Sequence, residues 1–435
     1  MVAMSPLELF SLDDSAADAT NFAPFLNRAR LERETGRDVA AQVALGAYLG
    51  VRLVDRRLAL GEAIDELEGF RWQLESTRKF LIELPSQDTE VSHLLGIIEA
   101  VESDPLHRDA VLRMSLVAYA YHLEHEGRLE EGLDLLGLSA RTYRKEVPPV
   151  DLATLALFVA RLNRMLARWE RANRAYTLAE QCGLRIRDLS TVMLARIGQG
   201  NVLRGQGNLP AARAALEEVI ATSNSPELRE VHGRCWSELS VILGSQGFVI
   251  ESMMAKYRAL LSLRDELVRT RVMGDLGISL RELGAFDAAR QCFDMVMAHN
   301  PSFIIRANTC IEMMEMESAL GNRLAFERNR QEALAVVDRM PPSMSVDFRY
   351  RVGIGFARFG KDSRARATLR EALAVAESHK LNEWYFRVDR VLRNLELCED
   401  SLDLKTTTAE TVELVPAVIE VTTGLRELAT AGALA

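Results

Sequence analysis

The sequence predicts an all-α protein built as a solenoid of antiparallel helix pairs. Three observations predict it. The chain is rich in alanine, leucine, arginine and glutamate, which favour helix. It has 435 residues, long for one compact core but natural for an architecture that grows along one axis. Short breaks between apolar-periodic segments recur at nearly constant spacing. The residues that open these breaks are Gly127, Ala167, Gly207, Gly247, Gly284, Gly321 and Gly360, at successive intervals of 40, 40, 40, 37, 37 and 39.

Each break has the same logic. A first helix runs into a residue, glycine in six cases, that accepts the left-handed conformation of a helix end. A few residues turn the chain. A second helix begins, and a small residue near its start allows it to approach the first. That residue is Gly132, Ala172, Ala212, Ser252, Ala289 and Ala365, with Phe326 the exception in the sixth copy. One such pair cannot bury its apolar face alone, so it must stack on its neighbours.

The ends complete the order. Residues 1–23 are acidic and poorly patterned and are expected to be a mobile N-terminus. Residues 24–108 carry apolar positions at i, i+3, i+4 spacing and read as a divergent helical cap. Residues 109–380 hold about seven helical hairpins. LNEWYFRVDRVLRNLEL (381–397), within 381–400, reads as a capping helix. Residues 401–435 form a tail that is either flexible or a docking segment. Within it VPAVIEVTTGLREL is apolar enough to bind a groove in trans or the chain's own concave face.

The motif resembles the tetratricopeptide repeat family, in a long-period form similar to bacterial members. The copy near Thr270 supplies Leu276, Gly277, Gly284, Phe286, Ala289, Phe293 and Pro301. The copy near Ala153 supplies Val159, Ala160, Trp169, Ala172, Tyr176 and Ala179. Gly233 opens one with Trp236, Leu239 and Gly247, and the last has Gly353, Gly360, Ala365, Leu369 and Ala372. The resemblance implies a right-handed superhelix whose concave wall is lined by the first helices. It also implies a partner-binding groove, here containing Arg161, Arg164, Asn201, Arg204, Arg234, Arg271, Arg281 and Asn308. Guanidinium groups on such a wall suit carboxylates or phosphates. The same arginines are equally able to pair with acidic residues of the adjacent repeat.

No catalytic constellation emerges. His122 and His125 in HLEHEG lack a third and fourth ligand for a metal. Cys292 and Cys310 fall mid-helix, as buried small hydrophobes do. GQGNVLRGQG (198–207) and GIGFARFG (353–360) do not follow strands, as a phosphate loop would. The five cysteines form no CxxC pair. The net charge of −9 argues against general nucleic-acid or anionic-membrane binding. No apolar run reaches the roughly 18 residues of a membrane span, and the N-terminus lacks the pattern of a signal peptide.

The expectation is a cytoplasmic, non-catalytic scaffold in bacterial signalling or regulation. Its partner would be a protein or peptide, acidic if the arginines select it, and the terminal helices offer a surface for a homodimer. No cofactor or metal is expected. The alternative is a regulator that senses a peptide or small ligand by changing its superhelix pitch. An enzyme would need groups converging in one pocket, and His125 with Glu124 is the one candidate.

Overall fold

In the computed structural model, the described residues are 22–61, 67–104, 107–143, 147–299, 301–397 and 415–430. They form helices joined by turns and short connections, with no strand among them. Of the expected mobile N-terminus, residues 1–23, positions 1–21 lie outside them, as do Cys398 and residues 401–414. The chain divides into two compact units, residues 1–219 and 220–435.

Unit 1 begins with α1 (Ala23–Glu34), α2 (Asp38–Leu60), α3 (Glu68–Ile82) and α4 (Thr89–Glu102). The first pairs follow: α5 (Arg108–His125) with α6 (Leu129–Arg141), and α7 (Pro149–Met165) with α8 (Trp169–Ile186). The unit is completed by α9 (Leu189–Gly205) and most of α10 (Leu209–Thr222). Its core joins Phe25 and Val51 of the leading helices to Leu116, Tyr119, Leu135 and Leu162 of the pairs. Each fully buried leucine or phenylalanine of this kind contributes about 1.5–3 kcal/mol by leaving water.

Unit 2 holds the pairs α11 (Arg229–Ser245) with α12 (Val249–Ser262), and α13 (Glu266–Glu282) with α14 (Phe286–Ala298). Next come α15 (Phe303–Ala319) with α16 (Arg323–Leu334), and α17 (Pro342–Arg358) with α18 (Asp362–Ser378). Then α19 (Asn382–Leu397) packs on α17 and α18 and buries Val388, Val391 and Leu392. The last helix is α20 (Pro416–Thr430). It lies on α12 and α14, the second helices of their pairs. Its place on that side departs from the expected alternative of the first-helix wall.

All seven residues read as turn openers have positive φ, between 69° and 83° for the six glycines. In every copy the next amide donates to the carbonyl five residues earlier, from Arg128 to Leu123 through Lys361 to Phe356, at 2.8–3.0 Å. This bond closes the orphan carbonyls of the helix end. Ala167 is the one non-glycine opener, at φ 55°. An L-residue costs about 1–2 kcal/mol there, partly offset by the greater entropy a glycine loses. Ala167→Gly is therefore expected to stabilise unit 1 by about 0.5–1 kcal/mol, read as a higher urea midpoint with an unchanged slope.

Phe326, the exception to the small-residue rule, is fully buried. The next first helix makes room for it. A Cβ at Gly355 of α17 would stand 2.3 Å from the Phe326 ring. The bulk moved from one helix to its neighbour, and the close approach was kept.

Candidate partner-binding face

The first helices of successive pairs place their side chains in columns, because residues three, four and seven apart share a face. On α5 that column includes Met114, Tyr121 and Glu124. On α7 it includes Phe158, Arg161, Arg164 and Met165. The columns meet where the Tyr121 ring stacks on Phe158, centroids 4.3 Å apart. The Arg161 guanidinium sits 4.7 Å over Phe158 and 5.7 Å from the Tyr121 ring. It also grips Glu124 with two bonds, Nε to Oε1 at 2.6 Å and Nη2 to Oε2 at 2.7 Å. Burial opposes the Arg161 charge, but the Glu124 bonds and charge outweigh it and hold the guanidinium protonated.

Large apolar groups stay in water beside this junction. Met114 is 73% exposed, Met165 47% and Tyr121 41%. Arg164 follows Arg161 by three residues and keeps its Nε shielded without a hydrogen bond. Asn201 of α9 is buried, with Oδ1 likewise unmatched. Arg204 is half-buried one turn further on.

In unit 2 the expected arginines meet acids. Arg234 pairs with Glu230 at 3.2 Å and with Asp265, which caps α13, at 3.1 Å. Arg281 of α13 reaches Glu312 of α15 at 3.3 Å. Glu312 is only 5% exposed and also takes Arg351 of α17 at 3.0 Å. Arg351 turns back to Asp347 at 2.8 Å, and Arg358 pairs with Glu315 at 2.9 Å. Burial pushes the Glu312 carboxyl up against the pull of Arg351 and Arg281. Arg271 is exposed; burial pushes the nearby Asp275 carboxyl up, against the weaker pull of Lys256 and Arg271. Asn308 is half-buried on α15.

Glu312, Arg351 and Phe158 were not legible as site residues. A signal for the ion pairs existed in the repeat period. Arg161–Glu124, Arg168–Glu130 and Arg351–Glu312 are separated by 37, 38 and 39 residues, one copy each. An acid followed one period later by an arginine is brought onto adjacent helices.

A second charge cluster joins the leading helices to the first pair. Arg28 of α1 and Arg128 ahead of α6 both bind Glu90 of α4, at 2.8 and 2.7 Å. Tyr119 of α5 donates its hydroxyl to the same carboxylate, and Arg28 Nε reaches Glu131 at 2.9 Å. Burial raises the Glu90 carboxyl, but Arg128, Arg28 and the tyrosine hydroxyl together hold it down at about 2. Burial raises Glu131 instead. One turn along α6, burial and the charges of Glu131 and Glu130 push Asp134 up to about 7. Its Oδ2 is shielded and makes no hydrogen bond.

His125 Nδ1 lies 2.7 Å from the Tyr121 carbonyl of its own helix. His122 stacks on Tyr119 and tilts against His93. No group of three or more His, Cys, Asp or Glu suited to a metal exists among the described residues. The four described cysteines are buried. Burial pushes the Cys292 thiol far up, and those of Cys235 and Cys310 up to about 12, with Glu238 and Glu332 adding to it. A reactive thiolate needs the opposite shift. Gly198 and Gly200 lie within α9, and Gly353 and Gly355 within α17. A cleft lined by Glu266, Arg269, Met273, Met295 and His299 has a volume of about 20 Å³, space for about one water.

No family model matches the chain, and no curated protein is similar to it. Solved structures are similar to it, among them two of low identity. One is the crystal structure of BtubC (BKLC) from P. vanneervenii, at 19% identity, covering 50% of this chain and 89% of that one, with a TM-score of 0.37. The other is a Rap protein complexed with competence and sporulation factor, at 9% identity, covering 82% of this chain and 98% of that one, with a TM-score of 0.44. Neither likeness bears on what this chain binds. No helix among the described residues is long and apolar enough to cross a membrane.

Proposed function

We propose that this chain is a non-catalytic scaffold of the tetratricopeptide kind, which binds a partner protein or peptide on the first-helix face of unit 1 in a regulatory setting. The observation that carries the reading is the Tyr121–Phe158–Arg161 junction with Met114 and Met165 exposed around it. Tyrosine, phenylalanine, methionine and arginine are the residues enriched where proteins meet. Their cluster lies on two successive first helices, where an extended or helical segment would touch both.

The expected ligand is apolar with acidic flanks. Glu124 at present neutralises Arg161, so Glu124→Gln is expected to strengthen binding of acidic peptides severalfold. Tyr121→Ala is expected to weaken the same peptides at least tenfold. The measurement is fluorescence polarisation of peptides selected by display on the full chain, with thermal melts to confirm folding. Selected peptides that bind both variants as they bind the wild type would show that the site lies elsewhere.

A further inference from the structure

Helix α20 is held differently from the helices of the pairs. Val418, Val421 and Leu425 are buried and form one stripe at i, i+3 and i+7. The opposite side, including Ile419, Glu420, Thr423 and Arg426, is exposed. The seat is shaped for a helix. A Cβ at Gly424 would stand 1.8 Å from the Tyr257 hydroxyl of α12, so a side chain there displaces either the ring or the helix. From α14, Gln291 Nε2 donates to the Leu425 carbonyl at 3.3 Å. The neighbouring α14 buries Ala288, Ala289, Cys292, Phe293 and Val296 along thirteen residues, whereas α20 buries three along fifteen. Between Leu397 and Val415 the chain has seventeen residues. A span of that length reaches about 58 Å when extended, so it does not by itself oblige α20 to stay seated.

We infer that the face made by α12 and α14 is a helix-docking site, and that α20 is its exchangeable resident. The partner it fits is an amphipathic helix with aliphatic residues at i, i+3 and i+7 and a glycine at i+6. Such a helix displaces α20, and α20 keeps the site closed until it arrives. This site uses the second helices and stands independently of the first-helix face proposed above.

The probe is a fluorescein-labelled peptide of residues 415–430, added to the full-length chain. Two variants release the resident helix: Val421→Glu, which puts a charge in the buried stripe, and Gly424→Leu, which collides with Tyr257. Both are expected to bind the peptide at least tenfold more tightly than the wild type does. A peptide carrying Val421→Glu is expected not to bind either. Equal binding by wild type and both variants, or no binding by any, overturns the inference. Hydrogen exchange on the wild-type chain gives a check that needs no variant. Amides of α20 are expected to exchange at least tenfold faster than those of α14, and equal protection overturns the exchangeable resident.

Discussion

Unit 1 is expected to lose roughly 3–5 kcal/mol when Glu90 is replaced by glutamine, because two guanidinium groups then stay in the interior with half their partners gone. Arg28 and Arg128 both depend on this carboxylate, and the Tyr119 hydroxyl points at it. For a unit of about this size the loss corresponds to a fall of roughly 6–20 °C in its melting midpoint. The pH dependence has a definite sign. The Glu90 carboxyl titrates at about 2 in the folded chain against an ordinary 4.5. Its stabilisation is therefore complete above pH 4.5 and disappears as pH falls towards 2, a change of roughly 3 kcal/mol. Urea unfolding at pH 7, 4 and 2.5 measures this. The glutamine variant is expected to show a smaller decline over that window, and an undiminished decline would mean that other carboxylates carry it.

The opposite change is expected two turns away from Arg128. Asp134→Asn should stabilise unit 1 by roughly 2–4 kcal/mol at pH 8. The carboxyl is pushed from an ordinary 3.8 to about 7 by burial and by Glu131 and Glu130, and its Oδ2 meets no donor. A folded-state value above the unfolded one means that stability is full below pH 3.8 and is lost as pH rises to 7. The gain from asparagine should vanish at pH 3 and grow through neutrality. Denaturant midpoints of the two proteins across pH 3–8 test it, and a gap independent of pH would assign the effect to packing. An ionisable group held at such a cost is one that a stability design would remove first.

The two variants also explain which parts of this protein were legible in its sequence. Turn openers were, since the requirement for a left-handed residue at a helix end is local, and Gly127 through Gly360 carry it without reference to any distant residue. The all-helical class followed from the same local physics. Phe326 breaks the small-residue pattern, and Gly355 on the neighbouring helix makes room for it. That compensation spans two helices and appears in neither alone.

The candidate site was legible to a smaller degree. The positions of Arg161, Arg234 and Arg281 on first helices follow from the repeat phase. Whether each faces a ligand or an acid depends on the carboxylate one helix away, and only packing brings Glu124, Asp265 and Glu312 to them. The charge clusters at Glu90 and Glu312 gather residues from three or more helices. Such a cluster has no motif, since its members need only converge in space. The seat of α20 is of the same kind. In the sequence VPAVIEVTTGLREL reads as apolar enough to bind a groove, but apolar composition states only that a surface must be covered, and the helix with its stripe of Val418, Val421 and Leu425 belongs to the folded chain. By itself the sequence determined the helices, their turns and their period, because backbone geometry and helix termination act over a few residues. The tertiary structure decided which charges neutralise one another and which face takes the last helix, because Coulomb pairing and apolar burial depend on distance in space.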